Sequence, residues 1–297
     1  MPAGPYGELL PALDELERCG GRAVAGFRDV IDDPGFVREL WSEAGTYDVL
    51  RRHYAAICIY GDPRTIDFIG AYGLDDELAR RVRYCGYLGR RRPATNQETA
   101  APERPLVVAT SGGGVDGPEL LHAFVGAAAR LQPQRGGTWV AVTGPLMADD
   151  DHAEIASLAE AHHVDVHRVL PELRNTIAEA DCVVSMAGYN TVCDIMSYGR
   201  RSILVPRARP SREQSLRAER LRACGIANVI QADDLRPESL THAIEHALEQ
   251  PAPAMGALPL GGLESALNVF DDVCDLDVAD DATAVSPELV LVDPTLR

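Results

Sequence analysis

Three stretches rich in glycine or short polar residues each follow an apolar run and precede a helical pattern, the position at which α/β proteins hold phosphates. The first is Thr110-Ser111-Gly112-Gly113-Gly114-Val115-Asp116-Gly117. Glycines there let backbone N–H groups approach an anion, and the helix that follows adds a favourable dipole. The spacing is not GxGxxG, and no acidic residue follows where a nicotinamide ribose would need one, so a dinucleotide site is not indicated. A tight turn without a ligand is the alternative for these residues.

The second stretch is Ser185-Met186-Ala187-Gly188-Tyr189-Asn190-Thr191-Val192-Cys193-Asp194. Asn190 and Thr191 are expected at the helix start as caps, where free N–H groups and short polar side chains could hold a diphosphate. Asp194, one turn further, could accept hydrogen bonds from two vicinal hydroxyls, as on a ribose. The alternative is a capped helix whose Asp favours the dipole. The third stretch, Val205-Pro206-Arg207 with Pro210-Ser211-Arg212-Glu213-Gln214-Ser215, aims Glu213 and Gln214 at the same sheet edge. Three arginines nearby, Arg207, Arg209 and Arg212, could neutralise phosphate, and a solvated loop is the alternative.

Among the remaining groups, Asp29 and Asp62 follow strand-like runs and are the best candidates for a general base, although either could merely brace its loop. His163 and His167 have i,i+4 spacing, but they flank a strand-like segment, where that spacing does not bring two imidazoles together. No metal site is expected.

The elements that must position these groups alternate between β-branched runs and helical patterns, the signature of an α/β fold. Strands are predicted at 22–27, 55–60 and 82–87, then at 106–110, 138–143, 164–169, 182–185, 202–205 and 227–231. Helices fill the gaps between the last six strands, for instance 118–131, 151–162, 191–197 and 214–224. That set makes a doubly wound parallel sheet with ligand sites at the carboxyl ends of its strands. The expected domains are 1–88, a linker at 89–104, 105–250, a linker and helix at 251–275, and an acidic tail at 276–297.

Composition narrows the function. The 297 residues carry a net charge of -17, which disfavours a nucleic-acid binder or attachment to an anionic membrane by charge alone. From 225 to the end, 14 acidic residues face only Arg236 and Arg297, and the stretch 271–281 is expected to be a solvated, poorly ordered tail. Aromatics are 5%, which points to an aliphatic core. No apolar run is long enough to span a bilayer. The seven cysteines are scattered without a CxxC pair, as in reduced cytosolic proteins, so a cytoplasmic location is expected.

Taken together, the three loops resemble the donor-binding half of two-domain (GT-B) glycosyltransferases, most nearly the family 28 C-terminal domain of the bacterial enzymes that complete lipid II. Gly188-Tyr189-Asn190-Thr191 through Asp194 is similar to the Gly-Trp-Asn-Ser…Glu stretch of UDP-glycosyltransferases, with Asp in place of the ribose-binding Glu. Glu213-Gln214 stands where such enzymes have a pair contacting sugar hydroxyls, and Met186 replaces a phosphate-binding His. Leu170-Pro171-Glu172-Leu173 resembles the loop that covers the nucleobase with its backbone groups. Gly7-Glu8-Leu9, Gly26-Phe27-Arg28-Asp29 and Tyr60-Gly61-Asp62-Pro63 resemble a set of bacterial predicted glycosyltransferases.

The resemblance implies two Rossmann-like domains, the N-terminal one incomplete. It implies a donor site at Ser111, Gly112, Gly113, Gly114, Leu173, Gly188, Tyr189, Asn190, Thr191, Asp194, Glu213 and Gln214. The implied reaction is metal-independent, inverting transfer of a hexosyl group, with N-acetylglucosamine a candidate, from a UDP-sugar co-substrate to an unknown acceptor hydroxyl, with no further cofactor. Such proteins begin with further residues that contact the acceptor. Three explanations stay open: a misassigned start, a fragment or degenerate paralogue, and a partner chain that supplies the missing half. A donor-binding subunit without activity of its own is therefore the alternative function. An epimerase or hydrolase on the same scaffold would need carboxylates and a His around the sugar, and no such set stands near Glu213.

Overall fold

The computed structural model describes residues 9–89, 105–207, 209–254 and 256–278. Most of the expected linker (90–104), the end of the acidic tail (279–297) and Gly7-Glu8 lie outside the described residues. The chain divides into two compact units, Met1–Leu88 with Pro259–Arg297, and Gly89–Leu258.

The first unit runs α1 (Leu10–Arg18), β1 (Ala23–Arg28), α2 (Pro34–Glu43), α3 (Thr46–His53), β2 (Tyr54–Tyr60), α4 (Phe68–Tyr72), α5 (Asp76–Arg81) and β3 (Val82–Tyr84). Its three strands are parallel in the order β1-β2-β3. Aspartates set the helix starts. Asp33 accepts from the Gly35 and Phe36 amides at 3.0 and 3.2 Å ahead of α2, and Asp75 accepts from Leu78 at 3.0 Å ahead of α5. The third strand is shorter than its sequence pattern, because Tyr87 leaves it to bridge Leu260.

One face of this sheet carries a cluster of aromatic rings among its aliphatic residues. Phe27, Trp41, Phe68 and Tyr72 are buried with ring centroids 4.6 to 6.5 Å apart. The few aromatics of the chain are thus concentrated where a three-stranded sheet has little area and needs large side chains to fill its core.

The second unit holds β4 (Leu106–Thr110), α6 (Pro118–Arg135), β5 (Thr138–Val142), α7 (Asp149–Glu160), β6 (Asp165–His167), α8 (Leu173–Glu179), β7 (Cys182–Ser185), α9 (Tyr189–Tyr198), β8 (Arg201–Leu204), α10 (Glu213–Ala223), β9 (Asn228–Val229) and α11 (Pro237–Glu249). All six strands are parallel, in the order β6-β5-β4-β7-β8-β9. Both faces are covered by helices. α6, α7 and α11 bury Leu121, Phe124, Ile155 and Ile244 against the strands in one core, while α8 and α9 pack on each other. The central strands β4 and β7 have buried residues on both faces, which explains their continuous apolar runs.

The last helix, α12 (Gly262–Val278), returns to the first unit. It lays Ala266, Val269, Phe270 and Val273 on Ala56, Cys58 and Cys85, covering the sheet face opposite the aromatic core. This corrects the expectation of a poorly ordered tail from 271: Asp271 and Asp272 are the exposed side of an amphipathic helix whose apolar side is buried.

Candidate functional site

In the second unit the crossover from β4 runs toward β5, while β7 pairs with the other edge of β4 and its own crossover leads away toward β8. Thr110 and Ser185, the last residues of β4 and β7, are register partners at this reversal. A crevice opens at such a switch point, outside the carboxyl ends of the strands. The turn after β4 and the loop that opens α9 meet there: a Cβ built on Gly112 would have one neighbour, the Thr191 hydroxyl at 3.9 Å.

The glycine turn is a braced piece of backbone. Ser111 is buried and donates its hydroxyl to the Thr143 carbonyl at 2.6 Å, so it holds the turn to the end of β5. Leu146 donates its amide to the Gly113 carbonyl at 2.8 Å. Gly114 has φ +110, and a Cβ there would stand 2.7 Å from both the Met147 amide and the Thr143 carbonyl. Gly144, with φ +90, packs its α-carbon against the Gly112 and Gly113 backbone. The sequence reading missed Thr143 and Gly144, although a Gly-Pro pair directly after a strand is itself a turn signal.

α9 begins two residues earlier than expected. Gly188 is its N-cap and no side chain caps it. Asn190 and Thr191 are therefore the second and third helical residues and not caps, a correction with a functional edge. Asn190 is exposed and Thr191 half-buried, and the first amides of a helix have no intrahelical partner. Above Gly188 there is open space, with no atom within 4 Å of an added Cβ. Tyr189 is buried.

Asp194 lies on the same helix, its side chain 25% exposed. Burial pushes its carboxyl above the usual range, opposed by the charge and hydrogen bond of Arg174, whose Nε stands 3.1 Å from Oδ1. Arg174, on α8, is a further residue the sequence reading missed. Leu173 opens α8, and its amide is bound to the Leu170 carbonyl at 3.0 Å, so that N–H is already engaged within the loop.

On the third loop, Gln214 is buried and accepts from the Arg207 amide at 3.2 Å, which leaves its amide nitrogen as donor. Glu213 pairs with Arg217 at 2.7 Å. Arg207 donates to Asp116 at 2.8 Å, tying the third loop to the first. Arg207 thus acts as a strut between the two loops. An open cavity of about 820 Å³ lies beside these loops, lined by Asp116, Glu119, Met186, Arg207, Arg209 and Arg236 among others. Asn190, Thr191 and Asp194 are not part of its lining.

The two candidate bases lie in the first unit. Asp29 is 0% exposed; one oxygen accepts from the Val30 amide at 2.8 Å and the other from the Tyr87 hydroxyl at 3.0 Å. That hydroxyl is also 3.0 Å from Thr65 Oγ1. A carboxylate buried and engaged in this way braces the strand ends, the alternative left open for Asp29. Asp62 is 7% exposed and held at both oxygens by the Arg64 guanidinium, at 2.7 and 3.2 Å. Burial raises its carboxyl pKa, but the hydrogen bonds and charge of Arg64 outweigh that and leave it below the usual value. Such a carboxylate is a poor base near neutral pH.

His163 and His167 are both exposed and do not form part of a ligand cluster. Among the described residues, one group of His, Cys, Asp and Glu brings three ligand atoms within 4.8 Å: Asp14, Glu17 and His53 in the first unit. Arg52 already pairs with both of its carboxylates.

A parallel, doubly wound sheet with a glycine turn and an uncapped helix at its switch point defines an α/β protein of the Rossmann-like class. Residues 108–257 match the glycosyltransferase family 28 C-terminal domain, and the chain belongs to that family. A UDP-N-acetylglucosamine–N-acetylmuramyl-(pentapeptide) pyrophosphoryl-undecaprenol N-acetylglucosamine transferase of Agrobacterium fabrum is 30% identical over 225 residues, 67% of this chain. The protein of the same name from Brucella anthropi is 27% identical over 169 residues, 54% of this chain. The chain spans 60% of the length of the first relative and 44% of the second. Among solved structures, MurG of Acinetobacter baumannii aligns with a TM-score of 0.54 at 17% identity, covering 91% of this chain and 76% of that one. CalG4, the calicheamicin glycosyltransferase, aligns with a TM-score of 0.53 at 17% identity, covering 90% and 65%. The fold is therefore of the GT-B glycosyltransferase class, with three strands in the first sheet among the described residues.

Proposed function

We propose that the chain is a glycosyltransferase that takes a hexosyl group, with N-acetylglucosamine the first candidate, from a UDP-sugar to an acceptor hydroxyl. The observation that carries this reading is the uncapped start of α9. It faces the Gly112 turn across the β4/β7 switch point, with exposed Asn190 at the opening and half-buried Asp194 one turn on. The relatives named above support the donor class.

In this reading the amides of α9 and of the glycine turn bind the diphosphate, Asp194 takes the two ribose hydroxyls, and Glu213 and Gln214 face the sugar. The acceptor oxygen attacks the anomeric carbon from the side opposite the diphosphate, so configuration inverts. The bond from the anomeric carbon to the diphosphate oxygen breaks with its electron pair going to that oxygen. The helix dipole and the amides stabilise the charge that develops there without requiring a metal ion. A base must receive the acceptor proton.

The engagement of Asp29 and Asp62 favours a second reading, in which this chain binds the donor and the base comes from a partner polypeptide or from residues outside those described. The two readings separate in a UDP-release assay with UDP-N-acetylglucosamine. An active transferase releases UDP slowly to water and faster with a suitable acceptor, and Asp194→Ala abolishes both. A donor-binding subunit binds the UDP-sugar and releases no UDP. Absence of binding overturns both.

A further inference from the structure

Arg217, one turn into α10, has a side chain with 0% exposure. Burying a guanidinium costs several kcal/mol unless its donors are satisfied, so its partners show what it holds in place. Nη2 meets Glu213 Oε1 at 2.7 Å and Nη1 donates to the Ala187 carbonyl at 2.9 Å. The guanidinium carbon lies 5.5 Å from the centroid of the Tyr189 ring, within cation–π range. Ala187 and Tyr189 flank Gly188, the N-cap of α9, whereas Glu213 opens α10. One buried cation thus joins the loop after β7 to the carboxylate after β8.

These partners differ in what a ligand could ask of them. The Ala187 carbonyl and the Tyr189 ring are buried and serve as the anchor. Glu213 keeps 20% of its side chain exposed. A carboxylate repels a diphosphate, so the part of a nucleotide sugar that Glu213 can face is the neutral, hydroxyl-bearing sugar. We propose that Arg217 is a positioning residue for sugar recognition. Anchored on Ala187 and Tyr189, it fixes the direction in which the Glu213 carboxylate accepts from the sugar hydroxyls. The planar fork of arginine is what lets one side chain reach both loops; a lysine has a single nitrogen and cannot hold both acceptors in this geometry.

This inference rests on the nucleotide-sugar reading of the crevice, and the test separates the two. UDP and UDP-N-acetylglucosamine are titrated calorimetrically into the wild-type chain, Arg217→Lys, Glu213→Gln and the double variant, each checked for a cooperative thermal transition. Arg217→Lys leaves UDP affinity within about twofold and weakens UDP-N-acetylglucosamine about tenfold, the loss of one charge-assisted hydrogen bond. Glu213→Gln shows the same split, and the double variant loses no more than either single one. Equal weakening of UDP and UDP-sugar, or no change in either, overturns the proposal by making Arg217 a structural strut only. Where Arg217→Lys does not fold, Arg217→Gln is titrated in its place, with the same split expected and equal weakening of both nucleotides again overturning the proposal. A wild-type chain that binds neither nucleotide refutes the donor-site reading itself.

Discussion

Replacing Gly144 with alanine tests whether the loop after β5 sets the shape of the glycine turn. At φ +90 the glycine backbone is in a region that costs an L-residue about 1–2 kcal/mol. The added Cβ would lie 2.5 Å from the Gly112 carbonyl oxygen, 2.6 Å from the Gly113 carbonyl carbon and 2.7 Å from its oxygen. All three neighbours are backbone, so no side chain can swing away. Relieving the overlap requires the turn to retreat by most of an ångström, at a packing cost of about 1–3 kcal/mol. The sum is a loss of about 2–5 kcal/mol, measured as a lower denaturant midpoint in urea at unchanged m-value. A turn displaced in this way no longer faces Thr191, so UDP affinity in the folded variant falls at least about fivefold, a loss of about 1 kcal/mol. A variant within about 0.5 kcal/mol of wild type, or one that is destabilised yet binds UDP normally, would refute the reasoning.

Three further substitutions probe other parts of the account. Gly188→Ala meets open space and leaves stability within about 0.5 kcal/mol, yet weakens UDP binding because the ligand needs that space; equal UDP affinity in titration would argue against it. Tyr87→Phe removes the hydroxyl from buried Asp29 and lowers unfolding free energy by about 1.5–3 kcal/mol without altering nucleotide affinity, as read by urea unfolding and calorimetry. Asp194→Asn removes a carboxylate whose folded pKa burial raises, with Arg174 opposing. The stability linked to that carboxyl is fully present below its unfolded value and is lost as pH rises through the higher folded one. The variant is therefore at least as stable as wild type at pH 7, and its advantage vanishes near pH 3 in thermal melts. Its UDP affinity is low at every pH, whereas that of wild type falls as pH drops through the raised pKa.

The second unit was the more legible part of the sequence. β4 and β7 match their expected limits residue for residue, because each is a short apolar run closed by turn residues and buried on both faces. The same pattern located the glycine turn and the start of α9 at adjacent strand ends. What escaped was long-range or a matter of one or two residues. The return of α12 to the first sheet is invisible locally, since an amphipathic helix does not name the surface it covers. Asp29 and Asp62 looked like bases because they follow strands, but the hydroxyl that engages Asp29 comes from Tyr87, 58 residues on. Asn190 moved from cap to first turn because the helix starts two residues earlier, within the ordinary uncertainty of helix ends. Glu213 and Arg217 did have a readable signal, the i,i+4 spacing of opposite charges, although nothing in it showed that the arginine would be buried.

The central claim is that the opening of α9 is a nucleotide-sugar donor site. Calorimetric titration of the 297-residue chain with UDP, UDP-N-acetylglucosamine and dTDP, repeated with Asn190→Ala and Asp194→Ala, tests it most directly. The account predicts micromolar binding of the two uridine nucleotides, weakened about tenfold or more by each substitution while the melting temperature holds. Binding that survives both substitutions, or no binding of any nucleotide by a folded chain, would contradict it.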